Sequence, residues 1–202
     1  MRVIPDGTIE VTAPDGFDVQ AFIDKKKGWI AAHRAEYEQM ALPTCTAPDQ
    51  ILLLDSAYTV REEDECKTDH RNKTVTAPDA WTLRWHLTNE FQDIVYEELC
   101  DIVDEIGIAP NRWTIRMQKT RWGSCSSAVN LNLNLKLYAL PPHLRKYVLV
   151  HEVAHLKVLN HSPAFWSLVA AHYPGYKQAE ADLKRYWVTI ERNRWWKAMQ
   201  QS

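Results

Sequence analysis

His151-Glu152-Val153-Ala154-His155, with His161 six residues further on, is the stretch on which the reading of this chain turns. Two histidines four apart on a helix project from one face, close enough to share a metal ion. Glu152, one residue after the first histidine, can reach a water on that metal. Imidazole ligands, an open coordination position and a carboxylate base together form the arrangement that a zinc hydrolase requires. The pentapeptide alone would arise in roughly one shuffled sequence in fifty, so it carries a real false-positive risk. Requiring His161 as well lowers the figure to roughly one in a thousand, which decides in favour of a site.

For His161 to face the first two histidines, the metal helix has to stop soon after His155. Asn160 suits the left-handed conformation that closes a helix. Ser162-Pro163 is an N-cap and first-turn pair for a new helix through Ala164, Phe165, Trp166, Leu168 and Val169. His172, Glu180 and Asp182 lie downstream as other possible third ligands, and a glutamate from a second helix is one way to complete a zinc site. The spacing equals that of the metzincin pattern, but Val158 stands where that pattern needs glycine, which excludes the assignment.

Upstream, Leu131-Asn132-Leu133-Asn134-Leu135-Lys136-Leu137 alternates with period two. The pattern predicts a strand with four leucines on a core and Asn132, Asn134 and Lys136 on the other face. Pro141-Pro142 ends it and opens the metal helix. Thr114–Met117 reads as another strand, ahead of Arg121-Trp122-Gly123-Ser124-Cys125. A long helix opens after Ala77-Pro78-Asp79, with Phe91, Ile94, Val95, Leu99, Ile102, Val103 and Ile106 at helical spacing and Gly107 as the stop.

The N-terminal part is mixed. Pro5-Asp6-Gly7 between Ile4 and Ile9 predicts a β-hairpin over residues 2–12. Asp18 caps a helix carrying Val19, Phe22, Ile23, Trp29, Ile30 and Tyr37 and ending near Ala41-Leu42-Pro43. Ile51–Leu54, Ala57–Val60 and Thr74–Thr76 suit short strands, and Arg61–Lys73 a solvated turn or loop. The whole reads as α+β: a small, mostly antiparallel twisted sheet packed on the long helix and the metal helix. Residues 1–78 form an N-terminal hairpin-and-helix region with further short strands, and residues 79–202 a zincin-like region in one compact unit with it.

With 46% apolar and 25% charged residues, the composition is that of a globular protein. A formal charge of −2 gives no global pull toward nucleic acid or anionic membrane. No run of about 18 apolar residues exists to span a membrane, and the start lacks a secretory h-region. Cys45, Cys66, Cys100 and Cys125 form no Cys-x-x-Cys pair, which suits reduced thiols and a cytoplasmic setting.

Arg121–Ser126, Tyr147–Leu156 and Asn160–Trp166 together resemble the YgjP-like metal-dependent hydrolase family, small zincin peptidases related to minigluzincins and SprT-type proteases. The resemblance is strongest from about Asn111 to Tyr186, weaker toward the start, and does not reach the tail with Trp187, Trp195 and Trp196. It implies Zn2+ held by His151, His155 and His161, and hydrolysis of a peptide or protein substrate through a zinc-bound water activated by Glu152. It also implies an edge strand that aligns an extended peptide, supplied either by residues 131–137 or by Arg121–Ser127. An oxyanion stabiliser is required as well, with Arg121, Tyr147 and Tyr173 as candidates. Cys125 has no base beyond the histidines and makes a poor nucleophile. The relation to SprT-type proteases makes nucleic acid a possible partner. The alternative function is a structural-metal binding module associated with DNA-repair or restriction machinery.

Overall fold

Helix-period apolar stripes and short alternating strands assemble here into an α+β architecture. The structure, a computed structural model, describes residues 1–45 and 47–201; Thr46 and Ser202 lie outside the described residues. Its strands divide among three small sheets rather than one. They are a two-stranded hairpin, a four-stranded sheet and a three-stranded sheet. Four of the six strand pairings among the described residues are antiparallel.

The N-terminal hairpin pairs β1 (Arg2–Val3) with β2 (Ile9–Glu10), and Gly7 takes a φ of 87° in its turn. The predicted helix after Asp18 is two helices, α1 (Val19–Lys25) and α2 (Lys27–Met40), broken at Lys26. Ile30 is the one residue of this pair that is fully buried, so little packing energy is available to hold a single straight helix. The second sheet comprises β3 (Gln50–Leu53), β4 (Ser56–Glu62), β5 (Lys67–Asp69) and β6 (Thr74–Ala77). Strand β5 lies inside the stretch expected to be a loop. Its pairing with β6 accommodates a charged sequence because β5 is an edge strand with a solvated face.

Helix α3 (Ala80–Ile106) opens on Asp79, whose side chain accepts from the Thr82 N–H, and closes on Gly107 at a φ of 75°. Leu83, Leu87, Phe91, Val95, Leu99, Ile102 and Ile106 form its buried stripe, which packs on α4 (Pro142–Ala154), the helix that carries His151 and Glu152. Arg145 of α4 is buried and grips Glu98 of α3 through both Nε and Nη2. Such a bidentate pair fixes the rotation of one helix against the other.

The third sheet carries the site. Strand β9 (Asn130–Asn134) lies between β7 (Arg112–Arg116), which is parallel to it, and β8 (Gly123–Cys125), which is antiparallel. The alternation expected through Leu137 ends at Asn134, and Leu135–Ala139 form a 3-10 turn. Asn134 ends the strand because its buried amide takes over backbone groups. Its Nδ2 donates to the carbonyls of Gln118 and Arg121, and its Oδ1 accepts from Lys136 N–H. The four leucines do face the core, but Asn134 and Lys136 are buried too. Lys136 is satisfied by Glu191 and Gln200 and lies over the Trp187 ring.

After α5 (Pro163–His172) and α6 (Tyr176–Arg192), the tryptophan-rich tail forms α7 (Arg194–Gln201). Trp196 is buried against β3 and donates to the Leu52 carbonyl at 3.2 Å. Among the described residues no helix is long and apolar enough to cross a membrane.

Candidate active site

Helix α4 ends one residue before the second histidine of the motif. His155 is its C-cap, at φ −64° and ψ −20°, and its N–H still bonds the His151 carbonyl. The two imidazoles therefore keep the one-turn spacing, with ring centroids 4.9 Å apart. A tight turn follows, in which the N–H groups of Leu156, Lys157 and Val158 bond back to the carbonyls of Val153 and Ala154. Asn160 is not in the left-handed conformation expected of it. The chain turns earlier, as one more tightened turn at the helix end satisfies carbonyls that a left-handed cap would otherwise serve. Ser162 is extended and Pro163 opens α5, although the serine side chain makes no capping bond.

This turn brings His161 back onto the other two. The nitrogens that His151, His155 and His161 can offer all lie within 4.8 Å of one another, and Nε2 of His161 is 3.1 Å from Nε2 of His151. The Nδ1 of His155 lies 3.1 Å from the Val158 carbonyl. That contact places the ring proton on Nδ1 and leaves Nε2 with its lone pair, as a metal-binding histidine requires. Phe165 of α5 stacks on His155 and meets the other two rings edge-on, while Trp166 stacks on His161. This is the only such group of metal-capable side chains among the described residues. Glu180 lines the same cleft without joining the group, and His172 and Asp182 do not line it.

Glu152 points from α4 toward β8 and is only 6% exposed. Its Oε2 is buried without a hydrogen-bond partner. A buried carboxylate oxygen left unsatisfied is costly, and beside three imidazoles it fits a metal site whose water supplies the missing donor. Burial pushes the Glu152 carboxyl up to about 8, with the Arg121 guanidinium pulling the other way. His151 is driven down to about 3, by burial first and then by the neighbouring His155 and His161; burial also lowers His155. Without a metal, all three groups are thus held in neutral forms near pH 7.

Gly123 explains how the carboxylate fits. A Cβ at this position would lie 2.8 Å from Cγ, Cδ and Oε1 of Glu152, far inside contact distance. A glycine inside a strand is the sequence mark of such a close approach. Of the two segments expected to supply an edge strand, β8 lies at an edge of its sheet, whereas β9 is central and paired on both sides. The Trp122 carbonyl and the Ser126 N–H bond β9, so the two-residue period turns the backbone groups of Gly123 and Cys125 outward, into the cleft.

The cleft encloses about 790 Å³. One wall is β8 and the histidine-bearing helix; Leu183, Trp187 and Val188 of α6 line another, and Pro5, Tyr37 and Met40 reach it from the N-terminal hairpin and α2. Trp122 and Trp187 meet edge-to-face at 4.9 Å. No sequence signal marks these apolar contributors, because their place depends on how distant segments dock.

The YgjP-like metallopeptidase domain matches residues 1–186. The chain belongs to this family. Among solved structures, the metallopeptidase zymogen abylysin of Pyrococcus abyssi is similar at 28% identity and a TM-score of 0.42, over 49% of this chain and 97% of that one. No curated protein matches. A YgjP-like metallopeptidase implies a metal, and the three-histidine group is where the described residues could hold one.

The perturbed groups set a pH dependence for chelator-treated protein. The unfolded chain loses the Glu152 proton near 4.5 and the folded chain near 8. Folding stability therefore falls as pH rises across that window, by at most about 1.4 kcal/mol per pH unit. Below 6.5 the unfolded chain binds a proton that folded His151 refuses down to about 3, so stability falls as pH drops there, and His155 adds in the same sense. Below 6.5 the histidines oppose Glu152; above it Glu152 acts alone. Melting temperature without metal should decline from about pH 6.5 toward pH 8. Glu152→Gln should abolish the alkaline decline, and a wild-type melting temperature that keeps rising through pH 8 would contradict the assignment.

Proposed function

We propose that this chain is a zinc-dependent peptidase in which His151, His155 and His161 hold the metal and Glu152 is the catalytic base. The observation that carries the reading is the buried, unpartnered Oε2 of Glu152 beside three converging imidazoles. A metal with a purely structural role would leave that carboxylate buried at a cost and without a task.

Zinc, when bound by three imidazoles, keeps an open position and supplies the Lewis acidity that brings the pKa of a water toward neutrality and polarises a carbonyl. The protein's own groups do the rest. An extended peptide adds to the free edge of β8, where the outward backbone groups of Gly123 and Cys125 hold its main chain in register. Glu152 takes a proton from the attacking water and passes it to the departing amine. Burial raises the proton affinity of its carboxyl and so strengthens the base, and the charge of a bound metal would draw it back toward the ionised form that accepts the proton. Phe165 and Trp166 shield the imidazoles and keep them in place.

Gly123→Ala tests the fit between base and strand. The added methyl forces the Glu152 carboxylate aside, and a displacement of about 1 Å can cost 10²-fold in rate. We expect kcat to fall by about that factor, with zinc content and circular dichroism unchanged; full activity would contradict the geometry. The broader reading is tested by cleavage of an unfolded protein substrate with and without chelator. Activity should vanish with the chelator and return with zinc, and chelator-resistant cleavage would overturn it.

A further inference from the structure

We propose that the hydroxyl of Tyr147 is the hydrogen-bond donor that stabilises the negative charge on the carbonyl oxygen during peptide hydrolysis, which makes it a second catalytic residue beside Glu152. The assignment rests on the zinc-peptidase reading above and supplies the part which that reading lacks.

Tyr147 lies one turn before His151 on α4, so its side chain leaves the same helix face as the imidazoles. It lines the cleft together with His151, Glu152 and the β8 edge. Its ring packs against His151 at 6.0 Å and against Tyr173 at 5.4 Å, and the residue is 3% exposed. A buried donor whose ring is held by packing has only its O–H to turn when charge develops, and its hydrogen bond is stronger in a water-poor wall than in solvent.

The hydroxyl also has the right company. Glu152 and Glu180, the latter exposed on α6, line the same cleft, and both carboxylates act on the hydroxyl. We place the O–H between them, on the side where a substrate carbonyl has to lie, with Glu180 as its acceptor at rest. As the carbonyl oxygen gains charge, Tyr147 turns its hydrogen bond from Glu180 to that oxygen. No proton leaves the tyrosine.

The rival donors fit less well. Tyr173 stands behind Tyr147 and does not line the cleft. Arg121 lines the cleft and its charge acts on Glu152, but it is exposed, and fixing so long a side chain at the reacting position costs conformational entropy.

The test is Tyr147→Phe, which keeps the ring and its packing, assayed with zinc loaded beside Glu152→Gln and Arg121→Ala. We expect kcat to fall by about 10²–10³-fold with KM within about threefold and zinc content unchanged, as for loss of one oxyanion donor. Affinity for a phosphonamidate peptide copying the cleaved site should fall by a similar factor, whereas a merely structural tyrosine would move KM or melting temperature instead. Tyr147→Phe with kcat near wild type, while Glu152→Gln is inactive, would overturn this inference and leave the peptidase reading standing. A greater loss of kcat in Arg121→Ala than in Tyr147→Phe would also overturn it, by moving the role to Arg121. Full activity in Glu152→Gln would instead strike at the peptidase reading itself.

Discussion

Glu152→Gln is expected to retain a full equivalent of zinc and to lose peptide hydrolysis by roughly 10²–10⁴-fold, the range that a positioned general base contributes. Glutamine has nearly the shape of the glutamate and fits the same space against Gly123, so the β8 contact survives. It cannot accept a proton at neutral pH. The substitution also relieves a buried ionisable group, so after chelator treatment the variant should melt no lower than chelator-treated wild type at pH 8. Zinc content by elemental analysis, kcat on an unfolded protein substrate and the melting temperature separate these effects. Loss of zinc together with activity would mean that Glu152 serves the metal site rather than the proton.

His161→Ala is expected to act on the metal instead. His161 is the exposed member of the group, on the turn after α4, and its removal leaves two imidazoles from one helix. Structural zinc sites gather about 10–16 kcal/mol from four ligands, so one ligand fewer should weaken binding on the order of 10²–10³-fold. Activity should then require correspondingly more zinc, and the fold should persist because Phe165 and the α4 core remain. An unchanged zinc affinity in competition with a chelating dye would move the third ligand elsewhere, with Glu180, which also lines the cleft, as the alternative.

Much of this was legible in the sequence, where local pattern and tertiary demand agree. The helical stripe from Phe91 to Ile106, its glycine stop and the convergence of His161 on the helix before it were all readable from spacing. Where the readings went astray, side chains intervened in the backbone. Asn134 ends β9 by bonding the carbonyls of the loop that leads into β8, and Lys136 is buried with Glu191 although its place in the alternation predicted solvent. The helix after Asp18 breaks at Lys26 because so little of it is buried. Trp196, with its bond to Leu52, and the cleft contributions of Pro5, Tyr37 and Met40 join segments far apart in the chain, and no local pattern encodes such docking. Gly123 shows the converse. Its residue type was a readable sign of close approach, but the partner, Glu152, emerged only from the fold.

The most direct test of the account is reconstitution of chelator-treated protein with zinc, with cleavage rate followed against metal added. The account predicts a rise that is linear up to one zinc per chain and then stops, absent in protein lacking the three histidines. Cleavage by the metal-free protein, or full cleavage by the triple variant, would contradict it.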